Sequence, residues 1–370
     1  MSADLAPLFR PFECKSLKLR NRVAMAPMTR NFSPGQVPTE EVAGYYRRRA
    51  EGEVGLLITE GTTVGHPGAP GHDSVPAFHG DAALNGWKEV VRQVHAANGA
   101  IIPQLWHVGG TRRPGVGPDK DAPGYSPSGL FKPGKPNGEA MTLKDIQDVI
   151  QAFADSARAA KEIGFDGVEI HGAHGYLLDQ FFWEGTNQRD DQYGGSLENR
   201  ARFGVEIVEA VRAAVGEDFA IVLRFSQWKQ QDYEARLAET PEELERFLTL
   251  FTDAGVDVFH ASTRRFWTPE FEGSDLNLAG WTRKLTGKPV ISVGSVGLDD
   301  DFIGANNQGI GGNANPKGIE DLAKRMAADE FDLIAVGRAL LQDPNWLVKM
   351  RNGQHDEIEP FTKAALGSLS

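Results

Sequence analysis

The stretch Gly167–Phe182, GVEIHGAHGYLLDQFF, guides the interpretation of the whole chain. It opens with a short apolar run, Gly167–Ile170, which is typical of a buried strand. Two histidines and a tyrosine follow at once, His171, His174 and Tyr176, and the small residues between them let the backbone turn tightly. Two imidazoles and a phenol at one strand end indicate a site that polarises an oxygen atom and delivers a proton.

The residues alone leave three interpretations of His171 and His174 open. Imidazoles three positions apart can share a metal ion, but a third ligand is needed, and no Glu or Cys follows at metalloprotease spacing. Alternatively, the two are ordinary polar residues that are satisfied at a strand end. In the third interpretation both rings donate N–H groups to one substrate oxygen, in the manner of an oxyanion hole.

Length and composition limit the class of protein. The 370 residues are enough for two average domains or for one α/β barrel. A formal net charge of −12 argues against a nucleic-acid or anionic-membrane partner. The single cysteine, Cys14, excludes an intrachain disulfide and a cysteine metal cluster, and it fits a reducing compartment. The N-terminus has no signal pattern and no apolar run approaches membrane-spanning length, so we expect a cytoplasmic protein.

Apolar runs and amphipathic patterns alternate along the chain. Short apolar runs predict strands at Val23–Met25, Gly55–Thr59, Ile101–Leu105, Gly167–Ile170, Ala220–Phe225, Asp257–Ala261, Val290–Val293 and Leu333–Val336. Helices are predicted at Thr39–Ala50, Ala83–Ala97, Leu143–Ile163, Leu197–Val215, Thr240–Ala254, Leu276–Leu285, Ile319–Ala327 and Pro344–Asn352. Thr39, Ser196 and Thr240 are the expected caps of three of these helices.

Eight strands that are each followed by a helix predict the α/β class and a single (β/α)8 TIM barrel over residues 1–370. A doubly wound sheet is the alternative, but it does not usually need so many units. Two long segments depart from the regular alternation. The Pro/Gly-rich Gly109–Met141 is expected to be a functional loop with a short hairpin, and the Gly/Asn-rich Gly304–Gly318 precedes the seventh helix.

In such barrels the active site forms at the C-terminal ends of the strands. The residues found there include Pro27, Thr29, Gly61, Gln104, Trp106 and Arg224, together with Val293, Gly294 and Ser295 after strand seven and Gly337 and Arg338 after strand eight. The last two loops commonly bind phosphate, and a guanidinium can grip a phosphate in two places. The alternatives to cofactor binding by the two arginines are an ion pair between Arg224 and Glu169, and an ordinary surface position for Arg338. The whole set fits a flat, hydrogen-bonding cofactor such as flavin mononucleotide.

With these residues the chain resembles the Old Yellow Enzyme family of FMN-dependent ene-reductases. The matching stretches are Asn21–Arg30 (NRVAMAPMTR), Gly55–Gly61 (GLLITEG), Gln104–His107 (QLWH), Val168–Phe182, Asn187–Arg202 (NQRDDQYGGSLENRAR), Ile291–Gly294 and Ala335–Arg338. They run in order over nearly the whole chain, and their combination is very specific. Thr29, where other members carry Cys, resembles the classical branch of the family.

The resemblance implies tightly bound, non-covalent FMN and a transient NADPH or NADH reductant. Pro27, Thr29, Gly61 and Gln104 would contact the flavin ring, with Arg224 at its pyrimidine edge. The phosphate would be held by Val293, Gly294, Ser295, Gly337 and Arg338. His171 and His174 would bind the oxygen of an activated alkene, Tyr176 would protonate its α carbon, and Trp106 would line the pocket. The donor interpretation of the histidines, without a metal, then becomes the favoured one.

The implied activity is reduction of the C=C bond of α,β-unsaturated carbonyl or nitro compounds, by a monomer or homodimer. A nitroester or nitroaromatic reductase with the same site is the alternative enzyme, and a flavin-binding redox sensor without turnover is the alternative class. The family's pocket tyrosine is not evident near His66, Gln227 stands where proline is common after Arg224, and Phe361 is a weak candidate for the pocket wall. We expect these departures to affect the range of substrates and not the flavin.

Overall fold

The computed structural model describes residues 4–298 and 316–370. Eight parallel strands, each hydrogen-bonded to the next in chain order, close into a barrel. These strands are β1 (Val23–Met25), β2 (Leu56–Thr63), β3 (Ala100–Trp106), β4 (Gly167–His174), β5 (Ala220–Lys229), β6 (Val258–Ser262), β7 (Val290–Val293) and β8 (Leu333–Val336). The predicted (β/α)8 barrel is confirmed, and the doubly wound alternative is wrong. That residues 1–370 form one domain stays a prediction.

Helices surround the barrel and pack their apolar faces against its strands. They are α1 (Glu40–Glu51), α2 (Asp81–Ala96), α3 (Leu143–Ile163), α4 (Leu177–Phe182), α5 (Leu197–Val215), α6 (Pro241–Ala254), α7 (Leu278–Thr286), α8 (Pro316–Ala327), α9 (Arg338–Gln342) and α10 (Trp346–Arg351). The short helices α4 and α9 were not predicted, because five or six residues are too few to show a helical period. Within the described ranges, no helix is both long and apolar enough to cross a membrane.

The expected helix caps are largely confirmed. The hydroxyl oxygens of Ser196 and Thr240 each accept a backbone N–H at 3.2 Å, from Asn199 and Glu243. Thr39 occupies the N-cap position of α1, but its side chain makes no capping hydrogen bond. Caps of this kind stabilise a helix by satisfying N–H groups that have no partner within the helix.

The lower part of the barrel is closed by apolar side chains. Alternate strand residues point inward, and Leu56, Val222 and Leu333 form part of a fully buried cluster there. An N-terminal hairpin, Phe12–Cys14 paired with Leu17–Leu19, adds its own apolar side chains to the same cluster. The sequence analysis did not predict this hairpin. Because the lower end is packed shut, the barrel cavity that can hold a ligand lies at the C-terminal ends of the strands.

The long segment Gly109–Met141 lies at the C-terminal end of β3. It contains the expected hairpin, formed by Leu130–Lys132 and Lys135–Pro136, and a short parallel pair between Tyr125–Ser126 and Glu139–Ala140. Of the Gly/Asn-rich segment Gly304–Gly318, residues 304–315 lie outside the described residues. Its last three residues form the start of α8.

Candidate active site

One cavity of about 430 Å³ opens among the C-terminal ends of the barrel strands. It is lined by every residue that the sequence analysis selected, namely Pro27, Thr29, Gly61, Gln104, Trp106, His171, His174, Tyr176, Arg224, Val293, Gly294, Ser295, Gly337 and Arg338. These residues come from seven of the eight barrel strands or the loops that follow them. Their convergence is a consequence of the parallel barrel, in which all strand ends meet on one side.

The two histidines and the tyrosine lie in contact around β4 and the turn that follows it. The ring centroid of His171 is 5.1 Å from that of His174 and 5.1 Å from that of Tyr176. The indole of Trp106 meets the Tyr176 ring edge to face at 4.9 Å and so fixes one side of the phenol. His171 is 5% exposed and His174 is 8% exposed, so both imidazoles are withdrawn from bulk water.

Hydrogen bonds indicate which ring nitrogen of each histidine carries the proton. The Nδ1 atom of His171 accepts the Ala173 backbone N–H at 3.3 Å, which leaves its proton on Nε2. Arg224 donates to the Ser262 hydroxyl oxygen at 3.1 Å, and that oxygen lies 2.8 Å from His174 Nε2. In the tautomer that carries the His174 proton on Nδ1, the Ser262 hydroxyl donates to His174 Nε2, and the Nδ1–H is then left to donate to another group.

Both imidazoles are neutral at neutral pH. Burial lowers the pKa of His171 and of His174 well below the ordinary value, and the positive charge of Arg224 lowers both further. A neutral imidazole offers one N–H donor and does not carry a full positive charge into the cavity. This is the protonation state that a hydrogen-bond donor to a carbonyl or nitro oxygen needs.

The Tyr176 hydroxyl is protonated and is held from one side. Burial raises the pKa of the phenol, while a hydrogen bond from Gln230 lowers it in part. Gln230 Nε2 donates to the Tyr176 hydroxyl oxygen at 3.1 Å. The phenol oxygen therefore accepts from Gln230, and its own hydrogen is available to another group. Gln230 also supports the negative charge that would form on the oxygen after proton transfer.

A buried ion pair fixes the turn that carries His174 and Tyr176. Lys229 Nζ lies 2.6 Å from Asp179 Oδ1, and both side chains are completely buried. The second carboxylate oxygen of Asp179 accepts the Gly175 backbone N–H at 2.7 Å. His174 has a positive φ of 66°, an unfavourable conformation for a residue with a side chain, so the turn needs such support.

At the floor of the cavity, Gln104 and Arg224 present complementary groups. Gln104 Nε2 donates to Glu169 Oε1 at 2.7 Å, and Arg224 is buried with an Nε that has no partner within the described residues. Arg224 bonds to Ser262, whereas the oxygens of Glu169 are bonded to Gln104 and His260, so the alternative of a direct Arg224–Glu169 ion pair is wrong. An amide beside an unsatisfied guanidinium N–H suits the alternating donor and acceptor atoms of a flavin pyrimidine edge.

The opposite end of the cavity is suited to a phosphate group. Gly294 has a φ of 146°, and a Cβ there would lie only 2.8 Å from the Thr263 carbonyl oxygen, so the close approach requires glycine. Arg338 is 9% exposed and donates to the Ser295 hydroxyl oxygen at 3.3 Å, so its alternative surface position is wrong. Phe361, the weak candidate for the pocket wall, is buried behind the cavity lining, with its ring 5.9 Å from the Arg338 guanidinium. The donor set therefore fits FMN.

Several residues of the cavity were not predicted. They include Ser262, Trp228 and Gln230. Trp228 stacks on His174 at a centroid distance of 4.7 Å and donates its indole N–H to the Ser262 carbonyl oxygen at 3.2 Å. The rule that strand ends carry the site would have found Ser262, because β6 ends there and not at Ala261. Trp228 and Gln230 follow Arg224 on an extension of β5 that no hydrophobic pattern announces.

The structure also bears on the metal interpretation of the histidines and on the positions of His66 and Gln227. No group of three or more His, Cys, Asp or Glu side chains in the described part of the chain is arranged to hold a metal ion. His66, near the missing pocket tyrosine, bonds through Nδ1 to His107 Nε2 at 2.9 Å and packs against Tyr125. Gln227 bonds to the backbone N–H groups of Leu237 and Ala238, each at 2.9 Å, and so ties the loop beyond Gln230 to β5.

Comparison with known proteins agrees with this site. Residues 7–357 match the NADH:flavin oxidoreductase / NADH oxidase family. The probable NADH-dependent flavin oxidoreductase YqiG of Bacillus subtilis (strain 168) is 32% identical over 98% of this chain and 92% of its own length. The NADH oxidase of Thermoanaerobacter brockii is 33% identical over 98% of the chain, but the match covers only 53% of that protein. The chain thus spans about half the length of that relative.

Two further comparisons connect the chain with reductases. The 12-oxophytodienoate reductase 7 of Oryza sativa subsp. japonica is 41% identical over 58% of this chain and 57% of its own length. The structure of morphinone reductase in complex with tetrahydroNAD superimposes with a TM-score of 0.80 and 29% identity, over 97% of this chain and 93% of the other. The barrel and its site are therefore those of a flavin oxidoreductase, the class that the family description and the full-length relative share. The chain belongs to the NADH:flavin oxidoreductase / NADH oxidase family, and its resemblance to the Old Yellow Enzymes is confirmed.

Proposed function

We propose that this protein reduces the C=C bond of α,β-unsaturated carbonyl or nitro compounds with NAD(P)H. The observation that carries the proposal is the arrangement of two neutral imidazole N–H donors and a protonated phenol around one cavity that fits FMN. A metal lyase would need a third ligand beside the histidines. A flavin-binding redox sensor would not need both the oxygen-binding pair and the proton donor.

In the proposed holoenzyme, Pro27, Thr29, Gly61 and Gln104 contact the flavin ring, and Arg224 lies at its pyrimidine edge. The phosphate is held by Val293, Gly294, Ser295, Gly337 and Arg338. A side chain at position 61 would lie 2.5 Å from the Trp106 indole, so glycine there lets the indole pack against β2. Bound FMN would supply the two-electron hydride chemistry of this reaction.

The protein's own groups then act on the substrate. His171 Nε2–H and His174 Nδ1–H donate to the carbonyl or nitro oxygen and stabilise the negative charge that develops there as the β carbon receives hydride. The Tyr176 hydroxyl gives its proton to the α carbon, and Gln230 continues to donate to the phenolate oxygen. One hydride and one proton together saturate the double bond. Tyr176 recovers its proton from water.

The space beside this site suits a substrate larger than a simple enone. A second cavity, of about 650 Å³, shares Trp106, Tyr176 and Gln230 with the first. Tyr233 and Leu366, two of the few large apolar side chains that are substantially exposed among the described residues, line the first cavity. An apolar substrate body is therefore part of the proposal, as the names 12-oxophytodienoate reductase and morphinone reductase also suggest. A cytoplasmic location and a monomeric or homodimeric state remain predictions.

Isotope labelling of the product tests the proposal. The purified holoenzyme is given 2-cyclohexenone and NADPH or NADH carrying deuterium at C4, and in a second reaction unlabelled dinucleotide in D2O. We expect cyclohexanone with deuterium at the β carbon in the first case and at the α carbon in the second. A failure to form cyclohexanone would contradict the proposed activity, and nitrite release from a nitroester under the same conditions would favour the alternative enzyme.

A further inference from the structure

A buried carboxylate joins two side chains beneath the cavity. Glu169 lies on β4 and is 0% exposed. Its Oε1 accepts from Gln104 Nε2 at 2.7 Å, and its Oε2 lies 2.6 Å from His260 Nδ1. Glu169 and Gln104 are also directly opposite each other in the register of β4 and β3. None of these interactions was predicted from the sequence.

The carboxylate determines how the Gln104 amide is turned. An ionised carboxylate only accepts hydrogen bonds, so Gln104 must direct its NH₂ group to Glu169. The amide oxygen of Gln104 then lies on the other side of the group, and Gln104 lines the cavity. Without Glu169, the two orientations of the amide would be close in energy, because the oxygen and nitrogen ends have nearly the same shape.

His260 holds the carboxylate in place from the other strand. Burial lowers the pKa of His260, so the ring is neutral, and its Nδ1–H is used for Glu169. The His260 ring is 0% exposed, and its Nε2 has no partner within the described part of the chain. His260 is the direct neighbour of Arg224 in the register of β5 and β6. The network therefore extends from Gln104 to the strand beside the cavity's buried cation.

We propose that Glu169 is a positioning residue for the cofactor. Glu169 is held by His260, and it turns the Gln104 amide so that the amide oxygen accepts the N3–H of the flavin pyrimidine ring. This inference rests on the proposed function, because it requires FMN in the cavity. Glu169 does not touch the cofactor and acts through Gln104. Its negative charge also offsets part of the field of Arg224, whose pKa it raises.

The test compares FMN binding by four variants of the chain. Glu169→Gln keeps the shape but removes the charge, so Gln104 can adopt either orientation. Asp257→Asn is the matched control, because Asp257 is a buried carboxylate at the other end of β6, where it bonds to Arg212 at 2.5 Å and to Ile221 N–H at 2.9 Å. His260→Leu leaves Glu169 free to rotate away from Gln104, whereas His260→Gln restores a donor.

Two measurements follow cofactor binding without using turnover. Apoprotein is titrated with FMN to obtain the dissociation constant from the quenching of flavin fluorescence, and the N3 resonance of bound ¹⁵N-labelled FMN is recorded by NMR. For Glu169→Gln we expect binding weakened by about tenfold, the cost of one hydrogen bond, and a displaced N3 resonance. We expect His260→Leu to behave in the same way. His260→Gln and Asp257→Asn should retain the N3 position of the unaltered protein.

The possible failures are distinguishable. If the unaltered protein binds FMN and Glu169→Gln and His260→Leu show the same dissociation constant and N3 resonance, the role of Glu169 is refuted and the proposed function stands. If Asp257→Asn changes both readouts as much as Glu169→Gln, a general loss of structure explains the result and the inference is also refuted. If the unaltered apoprotein binds no FMN, the proposed function itself fails. Should Glu169→Gln not fold, the pair His260→Leu and His260→Gln decides alone.

Discussion

The buried pair of Lys229 and Asp179 gives a sharp prediction about stability. Both side chains are 0% exposed, and their charged atoms are 2.6 Å apart. Asp179 also accepts the Gly175 N–H, so the pair connects the end of β5 to the turn that carries His174 and Tyr176. Replacing Lys229 by Met preserves most of the volume and removes the positive charge. Asp179 is then a buried carboxylate without its counter-ion.

The size of the effect follows from this burial. Removing one partner of a fully buried ion pair destabilises a protein by about 3–5 kcal/mol, because the remaining charge is neither paired nor hydrated. Replacing both residues, as in Lys229→Met with Asp179→Asn, should recover most of that free energy, since the amide oxygen of Asn can still accept the Gly175 N–H. Lys144→Met is the surface control. Lys144 is 80% exposed in an ion pair with Asp148, so we expect no measurable change in stability.

The pH dependence provides a second check with a definite sign. Burial raises the pKa of Asp179 in the folded state, and Lys229 partly opposes that rise. In Lys229→Met the pKa of Asp179 must rise further, because the opposing charge is gone. A carboxyl group whose pKa is raised on folding stabilises the folded state in its protonated form, and that stability is lost as the pH rises through the folded pKa. The deficit of Lys229→Met relative to the unaltered protein should therefore be largest at pH 8 and smaller at pH 5.

Urea unfolding, followed by circular dichroism at both pH values, measures these differences as shifts of the transition midpoint. A Lys229→Met variant as stable as Lys144→Met would refute the argument that the pair compensates a buried charge. A deficit that is the same at pH 5 and pH 8 would refute the attribution to Asp179.

Two further predictions concern the site, and a third concerns Glu60, a buried carboxyl group on β2. His171→Ala or His174→Ala should slow enone reduction about a hundred- to a thousandfold, because one hydrogen-bond donor to the substrate oxygen is lost. Tyr176→Phe should slow it on the order of a hundred- to ten-thousandfold, because the proton donor is lost. Flavin reduction by NAD(P)H, measured by stopped flow, should change far less in all three variants. Arg338→Met should weaken FMN binding about tenfold or more but leave riboflavin binding nearly unchanged, as titration of apoprotein with each flavin would show, because only FMN has the phosphate. Burial raises the pKa of Glu60 to about 7, so the free energy of unfolding should fall by on the order of 3 kcal/mol as the pH rises from about 4.5 to 7. Glu60→Gln should remove that fall, as urea unfolding at several pH values would show.

Each of these predictions has a contradicting result. Equal losses in both half-reactions would mean that the histidine and tyrosine variants disturb the flavin rather than the alkene. Parallel losses for FMN and riboflavin would place Arg338 away from the phosphate. A pH profile of Glu60→Gln identical to that of the unaltered protein would mean that Glu60 does not titrate in this range, although its Oε1 is buried without a partner in the described residues.

Much of the barrel could be predicted because its signals are local. A buried strand in a parallel barrel is a short apolar run, and the polar residue that follows it reaches the C-terminal side whatever the rest of the chain does. That reasoning found His171 and Arg338 without knowledge of any contact. The hairpin Phe12–Cys14 with Leu17–Leu19 was missed because a charged residue, Glu13 or Lys18, interrupts each strand, so neither is an apolar run.

The interactions that hold the site could not be predicted, because they join residues far apart in the sequence. Glu169 and His260 are 91 positions apart, and Lys229 and Asp179 are 50 apart. Their pairing depends on the register between barrel strands and on the length of β5, which continues to Lys229, four residues beyond the apolar run that predicted it. A sequence pattern reports which face a residue occupies and not the partner that it meets there.

The central claim is that this chain is an FMN-dependent enzyme that transfers reducing equivalents from a nicotinamide dinucleotide to an activated alkene. The most direct test is the visible spectrum of the purified protein, recorded anaerobically before and after addition of NADH or NADPH and again after 2-cyclohexenone. We predict a flavin band that bleaches with the dinucleotide and returns with the enone. A protein without a flavin band that does not take up added FMN, or a bleached band that the enone fails to restore, would contradict the account.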